Sequence, residues 1–321
     1  MIMSELYKIF KKIEGKKVLT QFVKNNLFFF VSFQVLLLGL NRKALEIIKI
    51  ASQFKIYNRL KRRYKFLKIK IDSNSIDSLP KISSNIVWFC WLQGIENSPS
   101  LVRHCYESLV NNLPDKNIII ITTDNFNEYI TFPDFIIDKW KKGIITNTHF
   151  SDLLRLELLI NHGGTWIDST VYCTGSNVPN CFFESELFMY QMLKPGLDGH
   201  SIAISSWFIT SVTNNKLLIA TRTLLYDYWA NNNKMIDYFL LHFFFCIVCE
   251  WYPEEWKKVP KYCNSIPHVL QLELFSDYNM NRFSDIKNMS AFHKLSNKLD
   301  DCLKQKKNTF YDVLFQRQNS L

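Results

Sequence analysis

The sequence predicts an α/β fold in which helices flank a mainly parallel sheet. Residues 86–91 form a continuous apolar run and residues 117–122 contain four successive isoleucines, and both runs have the length and composition of strands that are buried on both faces. Residues 100–113, between the two runs, are predicted to form a helix that ends before Pro114. Because strands and helices alternate along this part of the chain, a layered α/β domain is favoured.

The segment 149–175 is the third observation, since it combines a helix, a glycine turn, a strand and a charged residue at the end of that strand. Leucine and isoleucine recur at helical spacing over residues 151–161, and the glycines at 163–164 end the helix. Residues 165–167 have β-forming side chains, and Asp168 follows them. The sequence thus presents a carboxylate at the end of a mostly buried strand, where open α/β sheets bind their ligands.

Beyond Gly175 the alternation fades and aromatic residues become frequent. A very apolar helix is predicted over residues 235–251, and we expect it to carry Asp237 and His242. A carboxylate inside so apolar a helix is costly unless it is paired or catalytic, so Asp237 is a candidate functional residue. The other predicted elements are a short helix within 132–144, strands at 187–190 and 202–210, and a helix at 216–231.

The positive charge of the chain is concentrated near its N-terminus. The 321 residues carry a net charge of +10, and residues 1–81 hold 18 Lys and Arg against 5 Asp and Glu, whereas the remainder holds 21 against 24. A protein that binds duplex nucleic acid is expected to place its basic surface beside its recognition element, so nucleic acid is not an expected partner. An anionic membrane surface suits the distribution better. We therefore predict a basic, partly apolar helical membrane-association segment at 1–79 and the main domain at 80–321.

The apolar stretch 25–41, between Lys24 and Arg42, leaves three interpretations open. As a helix its 17 residues would span roughly 26 Å, short of the ~30 Å hydrocarbon core of a bilayer. The stretch can be a short transmembrane helix, a helix that lies in the membrane interface or docks on a partner, or a buried core helix. The basic helix predicted for residues 42–70 can lie on acidic headgroups, or it can pack its apolar stripe on its own domain.

No small-residue cleavage site follows the apolar stretch, so no secretory signal is predicted and a cytoplasmic location is expected. The eight cysteines form no zinc-binding or disulfide pattern. Cys246 and Cys249 make up a C-x-x-C pair within an apolar run, and we predict that both are buried free thiols, which suits a reducing cytoplasm.

The residues with these features resemble the capsular polysaccharide synthesis family of glycosyltransferases, which is related to glycosyltransferase family 32. The most specific part is Ser-Asp-x-x-Arg at 151–155 followed by Gly-Gly-x-x-x-Asp at 163–168. The resemblance covers most of the chain and is strong over residues 80–175. It implies a glycosyltransferase-A type of fold, with a nucleotide-sugar donor bound by residues 80–175 and an acceptor half and closing segment in residues 176–321.

The resemblance assigns donor contacts to residues of both motifs. Asp152 would bind sugar or ribose hydroxyls and Arg155 a charged or hydroxylated group, although a surface salt bridge between the two is the structural alternative. Gly164, Asp168 and Thr170 belong to the second element, which in the family ends Asp-x-Asp, with both carboxylates on a divalent ion at the sugar diphosphate. Here the element ends Asp-Ser-Thr, so a hydroxyl replaces one carboxylate. A divalent cation, Mn or Mg, is therefore left open as a cofactor.

Near the C-terminus, His293 and Lys294 resemble the segment that closes over the diphosphate in such folds. His293 would complete a metal site with Asp168, or Lys294 and Lys298 would neutralise the leaving diphosphate without a metal ion. A structural role is the alternative for His293. Asp168 and Asp237 are the predicted catalytic residues, with Asp237 on the acceptor side.

The leading hypothesis is a cytoplasmic glycosyltransferase, hexosyltransferase-like, that is peripheral to the inner face of the cytoplasmic membrane. It would add a sugar from a nucleotide-sugar donor to a growing capsular or surface polysaccharide, on a lipid-linked or oligosaccharide acceptor. The resemblance to family 32 favours retention of configuration at the sugar. The alternatives are a catalytically inactive sugar-nucleotide-binding or assembly protein, and a membrane-surface scaffold in which the motif is only structural.

Overall fold

A computed structural model describes residues 26–73, 76–193 and 201–317. The strands in these ranges are β1 (Ile86–Cys90), β2 (Asn117–Ile121), β3 (Gly164–Ile167), β4 (Val171–Cys173), β5 (Leu187–Gln191), β6 (Ile204–Ser211) and β7 (Phe292–Lys294). The helices are α1 (Phe28–Leu38), α2 (Arg42–Tyr64), α3 (Leu67–Asp72), α4 (Ser100–Asn112), α5 (Phe126–Tyr129), α6 (Asp134–Lys141), α7 (Asn147–His162), α8 (Cys181–Glu184), α9 (Lys216–Asn231), α10 (Leu240–Trp251), α11 (Pro253–Lys257), α12 (Val269–Glu273), α13 (Met280–Met289), α14 (Asp301–Lys304) and α15 (Phe310–Phe315).

The centre of the fold is a five-stranded sheet in the order β2-β1-β3-β6-β5. β1 pairs in parallel with β2 and β3, whereas β6 runs antiparallel to β3 and β5, so four of the five strands point in one direction. The predicted α/β fold with a mainly parallel sheet is confirmed, and the layout agrees with the glycosyltransferase-A type that the resemblance implied. β2 lies at the edge of the sheet and is only partly buried, whereas its apolar run predicted a fully buried strand.

Helices cover both faces of this sheet. Neighbouring side chains of a strand point to opposite faces, so an apolar run such as β1 presents apolar side chains to the helices on both sides. Trp88 and Trp166 pack on the side of α7, α9 and α10. Val87 and Phe89 pack on the other side, with apolar residues of α4. The continuous apolar run of β1 is therefore explained by its position inside a sheet that is covered on both faces.

Two glycines join α7 to β3. The helix begins after Thr146, whose hydroxyl caps the His149 backbone N–H, and ends at Gly163, where φ is 66°. Gly164 follows with φ of 89°, and a Cβ atom there would lie 2.4 Å from the carbonyl oxygen of Ile86. Only glycine fits, since this backbone conformation and this close approach to β1 both exclude a side chain. The predicted helix, glycine turn and strand are confirmed.

The basic helix α2 packs on the main domain. Its residues Tyr57 and Tyr64 are buried in the same hydrophobic cluster as the core helices, and the ring of Tyr64 lies 5.1 Å from that of Phe244 in α10. Leu67 of α3 is buried in the cluster as well. The interpretation that this segment packs its apolar stripe on its own domain is confirmed.

The short apolar helix α1 contains no buried residue, so the interpretation as a core helix is wrong. It packs along α2 with one side and exposes the other, where Phe29, Phe33, Leu36 and Leu37 follow one another at helical spacing. Within the described ranges, no helix combines the length and the apolar character needed to cross a bilayer.

The apolar helix predicted for residues 235–251 begins only at Leu240. Asp237 precedes it in a turn, where its carboxylate accepts a hydrogen bond of 2.9 Å from the Phe239 backbone N–H. An aspartate that bonds to a backbone N–H two residues later favours a turn over helix continuation, which explains the late start. Cys246 and Cys249 lie inside α10 as buried free thiols, as predicted.

Candidate active site

A cavity of about 340 Å³ opens at the carboxyl ends of β1 and β3. The N-terminal half of α7 forms one wall, the Asp-Ser-Thr segment after β3 forms the floor, and the end of β7 with the loop that follows forms the opposite side. Predicted site residues that line it are Asp152, Arg155, Asp168, Thr170, Lys294 and Lys298. The fold therefore brings together residues that are separated by more than a hundred positions in the sequence.

Asp168 lies at the centre of the cavity floor. Its backbone N–H donates to the Trp207 carbonyl at 2.8 Å, which fixes the residue at the end of β3. Its Oδ1 accepts a hydrogen bond of 2.9 Å from the Trp166 indole and lies 3.5 Å from Nη2 of Arg155. Its Oδ2 lies 3.3 Å from Nζ of Lys294. Burial alone would raise the pKa of Asp168, but Lys294 and Arg155 outweigh it, and the pKa is lowered.

Arg155 is held rigidly by its neighbours. Nη1 donates to the Ser206 carbonyl at 2.6 Å and Nε to the Ser151 carbonyl at 3.2 Å. The guanidinium also stacks over the Trp166 ring, 4.8 Å from the ring centroid. Arg155 is 4% exposed and Asp152 is 5% exposed. The alternative of a surface salt bridge between the two is therefore wrong, because the pair is buried.

Asp152 is the second carboxylate of this group. Its Oδ1 lies 3.5 Å from Nη2 of Arg155, and its Oδ2 lies 3.5 Å from Nδ1 of His149. The guanidinium of Arg155 thus lies between two acids, one on α7 and one after β3. Such an arrangement fixes a cation in place at the edge of the cavity.

Lys294 reaches the floor from the two-stranded sheet of β4 and β7. Strand pairing places Lys294 opposite Val171, and the Leu295 backbone N–H donates to the Thr170 carbonyl at 2.9 Å. The Lys294 ammonium donates to Oγ1 of Thr170 and also pairs with Asp168. Lys294 therefore contacts both ends of the Asp-Ser-Thr segment.

His293 lies on the opposite face of β7. Its side chain is completely buried, its Nε2 lies 3.0 Å from Oγ1 of Thr174, and burial lowers its pKa to about 4. Strand alternation explains why His293 points away when Lys294 points to Asp168. The predicted metal pair of Asp168 and His293 is thus not brought together. In the part of the chain that the structure describes, no three His, Cys, Asp or Glu side chains form a metal-binding group.

The residues around Asp168 fit a divalent ion poorly. Magnesium and manganese sites are built from several oxygen ligands, and carboxylates supply the charge. Here both oxygens of Asp168 already face cationic or N–H donors, and Thr170 offers only a hydroxyl, which accepts from Lys294. Asp152 faces Arg155 and His149 in the same way.

Besides His293, two predicted site residues lie outside the cavity. Gly164 is at the other end of β3, where it allows the close approach to β1, so its role is structural. Asp237 is not among the lining residues, and burial raises the pKa of its carboxyl. Its neighbours Tyr238 and His242 line the cavity instead. Burial lowers the pKa of His242 to about 4, so the imidazole is neutral at pH 7.

The sequence did not identify Tyr238 as a residue of the cavity, and it did not show where His242 lies relative to Asp168. The signal was present in Asp237, since an aspartate just before an apolar run is a common start of a helix and would have placed Tyr238 in the turn. The contact of Lys294 with Thr170 had no local signal, because the two residues are 124 positions apart.

A larger cavity, of about 990 Å³, lies at the other end of α7. Its buried carboxylate, Glu157, pairs with Arg222 at 3.2 Å and accepts hydrogen bonds from Tyr226 and Asn161. Every one of these groups is satisfied within the network, which therefore links α7 to α9 and has the character of a structural element.

The comparison with protein families agrees with the resemblance to the capsular polysaccharide synthesis family. No curated protein matches the chain at a significant level. Among solved structures, the chain is similar to one titled "PaToxG Glycosyltransferase", at 15% sequence identity and a TM-score of 0.38, over 84% of this chain and 96% of that chain. The family model described as "Capsular polysaccharide synthesis protein" matches residues 40–314. Since this match spans most of the 321 residues, the chain belongs to the capsular polysaccharide synthesis protein family.

Proposed function

We propose that the chain is a glycosyltransferase that moves a sugar from a nucleotide-sugar donor to a growing capsular or surface polysaccharide. The observation that carries the proposal is the carboxylate of Asp168, held between Arg155 and Lys294 in a cavity at the carboxyl end of a parallel sheet. Ligands of open α/β sheets bind at this edge. Membership of the capsular polysaccharide synthesis family supports the same reaction class.

The cations of the cavity suit the diphosphate of the donor. In the reaction the bond between the anomeric carbon and the phosphate oxygen breaks, and its electron pair leaves with the nucleoside diphosphate. Negative charge therefore grows on the phosphate oxygens, where fixed cations stabilise it. Lys294 and Lys298 line the cavity beside Asp168 and are the proposed partners of the diphosphate. Asp152 and Arg155, fixed on α7, are the proposed partners of sugar or ribose hydroxyls.

Retention of configuration is the stereochemical part of the proposal. An inverting enzyme needs a carboxylate base beside the acceptor hydroxyl. Among the described residues that line the cavity, the acids are Asp152 and Asp168, and both pair with cations. Asp237 does not line the cavity itself. We propose that it acts on the acceptor side indirectly, because the turn that it stabilises places Tyr238 at the cavity.

We also propose that the protein lies on the inner face of the cytoplasmic membrane, near a lipid-linked acceptor. Support comes from α1, whose apolar stripe is highly exposed: Phe29 87%, Phe33 61%, Leu36 83% and Leu37 68%. The adjoining α2 carries many basic residues, and Lys55 lies 4.0 Å from the ring centroid of Phe30 in α1. An apolar helix face beside basic side chains is typical of helices that lie in the interface of anionic membranes.

Incubation of the purified full chain with a panel of nucleotide sugars, followed by measurement of nucleoside diphosphate release, tests the reaction. We expect release from one donor, and we expect Asp168→Ala to reduce it about 10²-fold or more because both cations lose their shared anion. Asp124→Ala, a change at an exposed residue beyond β2, is the control.

The rival function is that of an inactive sugar-nucleotide-binding protein. It predicts that wild type and Asp168→Ala both bind a nucleotide sugar in calorimetry and that neither releases nucleoside diphosphate in the presence of oligosaccharide acceptors. That result would replace the transferase proposal.

A further inference from the structure

We propose that the Lys294 ammonium serves as the cation of this site in place of a divalent metal ion, so that donor binding and sugar transfer need no metal. The proposal rests on the glycosyltransferase function proposed above. The inference concerns the Lys294 ammonium, which contacts both Asp168 and Thr170.

The position of the ammonium is the first argument. Nζ of Lys294 lies 3.3 Å from Oδ2 of Asp168 and donates to Oγ1 of Thr170. These are the first and third residues of the Asp-Ser-Thr segment. In an Asp-x-Asp segment, the same two positions carry the carboxylates that hold an ion. Lys294 therefore occupies the place between the two positions that an ion would need.

The charges give the second argument. Two carboxylates and a divalent ion sum to no net charge, and so do one carboxylate and one ammonium. The change of the third residue from a carboxylate to the hydroxyl of Thr170 removes one negative charge, and Lys294 supplies one positive charge where the ion supplies two. The substitution and the lysine thus compensate each other. The carboxylate of Asp168, whose side chain is only 25% exposed, is not left unpaired, which would be costly.

The third argument is that the ammonium is fixed. Pairing of β4 with β7 sets Lys294 opposite Val171, and the side chain is only 20% exposed. A lysine ammonium has three N–H donors and no acceptor. Among the described residues, two of these donors have partners, Asp168 and Thr170. The third N–H is available for a hydrogen bond to a diphosphate oxygen of the nucleotide sugar, in the cavity that Lys294 lines. A cation that is already in place needs no reorganisation when charge develops.

Arg155 completes the arrangement on the other side of Asp168. It donates to the Ser206 carbonyl and lies between two acids, so it stabilises Asp168 and leaves Lys294 as the cation that faces the diphosphate. Lys298 lines the cavity nearby and is the proposed second contact of the diphosphate.

The first experiment measures nucleoside diphosphate release by the full chain, purified and assayed in EDTA, and then with added Mn²⁺ or Mg²⁺. We expect the same rate in all three conditions. Release that is lost in EDTA and restored by either ion would overturn the inference and would at the same time support the transferase function. The two proposals can therefore fail separately.

The second experiment replaces the Lys294 ammonium with a divalent metal ion. Lys294→Ala is expected to lower kcat by about 10²- to 10³-fold, as removal of one fixed charge partner of a transition state does in other enzymes. Lys141→Ala, at an exposed lysine of α6, is the matched control. Lys294→Ala combined with Thr170→Asp restores a second carboxylate and is expected to regain release only with Mn²⁺ or Mg²⁺. Wild-type kcat and KM in Lys294→Ala, or a double variant that is indifferent to both ions, would contradict the inference.

Binding keeps the inference testable if a variant does not fold. Calorimetry of the wild-type chain with uridine, guanosine, thymidine and adenosine diphosphates, in EDTA and with Mn²⁺, uses the protein as it is. We expect one of the four to bind equally in both conditions. Binding that requires Mn²⁺ would overturn the inference alone, whereas no binding under either condition would overturn both this inference and the proposed function.

Discussion

At the scale of single residues, the site depends on which oppositely charged side chains pair with each other. Asp168 pairs with a rigid guanidinium on one side and an ammonium on the other. Arg155 owes its rigidity to its shape, since one planar group donates to two carbonyls and approaches two acids. A lysine at the same position would carry the same charge, but it would lack the planar set of N–H donors that makes these contacts together.

Arg155→Lys therefore tests geometry at constant charge. We expect kcat/KM for nucleoside diphosphate release to fall by about 10- to 100-fold, because a single ammonium cannot hold the Ser206 carbonyl, Asp152 and Asp168 together. Arg222→Lys, the same change in the ion pair with Glu157 at the other end of α7, is the matched control and should keep wild-type kcat/KM. Equal effects of the two substitutions would show that loss of stability, and not the site, explains the result.

The buried His293 predicts a dependence of stability on pH. Burial lowers its pKa to about 4, whereas a histidine in an unfolded chain has a pKa of about 6.5. The unfolded state therefore takes up a proton in the window between these values that the folded state does not bind. The free energy of unfolding is unaffected by this residue above the window, and it falls as the pH is lowered through it, by on the order of 3 kcal/mol at the lower end.

Urea denaturation at about pH 7 and at about pH 4.5 measures this loss. His293→Gln should lose less stability between the two pH values than wild type, whatever its stability at neutral pH. His162→Gln, at a half-buried histidine that bonds to the Tyr129 carbonyl, serves as the control. A wild-type pH response in His293→Gln would contradict the prediction.

At the scale of elements, two connections place the site. The glycine turn between α7 and β3 sets Arg155 and Asp168 side by side, and the pairing of β4 with β7 brings Lys294 beside Thr170. Both connections rely on backbone geometry. The first has a strong local signal in the two glycines, and the second joins strands that lie far apart in the sequence.

Gly164→Ala tests the first connection. A Cβ atom would lie 2.4 Å from the Ile86 carbonyl oxygen, and φ is 89°. We expect a loss of at least ~3 kcal/mol in the free energy of unfolding, since the backbone of β1 must move. Gly143→Ala is the matched control, because its φ of 70° is also positive while no atom lies within 4 Å of the added Cβ. It should cost only about 1–2 kcal/mol, the penalty of the left-handed conformation alone. Equal losses would exclude the contact with Ile86 as the cause.

At the scale of the whole molecule, the N-terminal helices have two roles. α2 and α3 contribute buried residues such as Tyr64 and Leu67 to the main core, so the membrane-association segment predicted at 1–79 cannot be treated as a detachable unit. α1 contributes no buried residue and presents an apolar stripe to solvent. Point substitutions in α1 are therefore the appropriate test of membrane binding, because they leave the core intact.

The double substitution Phe29→Glu and Leu36→Glu should reduce co-sedimentation of the full chain with phosphatidylglycerol-containing vesicles by about 10-fold or more, since two apolar contacts become charged. Leu272→Glu, at an equally exposed leucine in α12, is the matched control. Vesicles of phosphatidylcholine alone should bind wild type weakly, because the basic residues of α2 lack an anionic partner. Unchanged sedimentation of the double variant would exclude α1 as the membrane contact.

The sequence by itself determined the features that depend on local pattern. The apolar runs and the helical period predicted β1, α4 and α7, and the glycines at 163–164 predicted where α7 ends and β3 begins. Asp168 could be located for the same reason, since it directly follows a strand. Local patterns determine local structure because hydrophobic period and glycine conformation act within a few residues.

Only the tertiary structure decided what surrounds Asp168. The pairing of β4 with β7 turned Lys294 toward Thr170 and His293 toward Thr174, although the two residues are neighbours in the sequence. A shift of one residue in that pairing would exchange them, and the sequence has no local signal for the register. The same limit applies to α1, whose exposure depends on what packs against it. Contacts between distant segments are set by the packing of the whole domain.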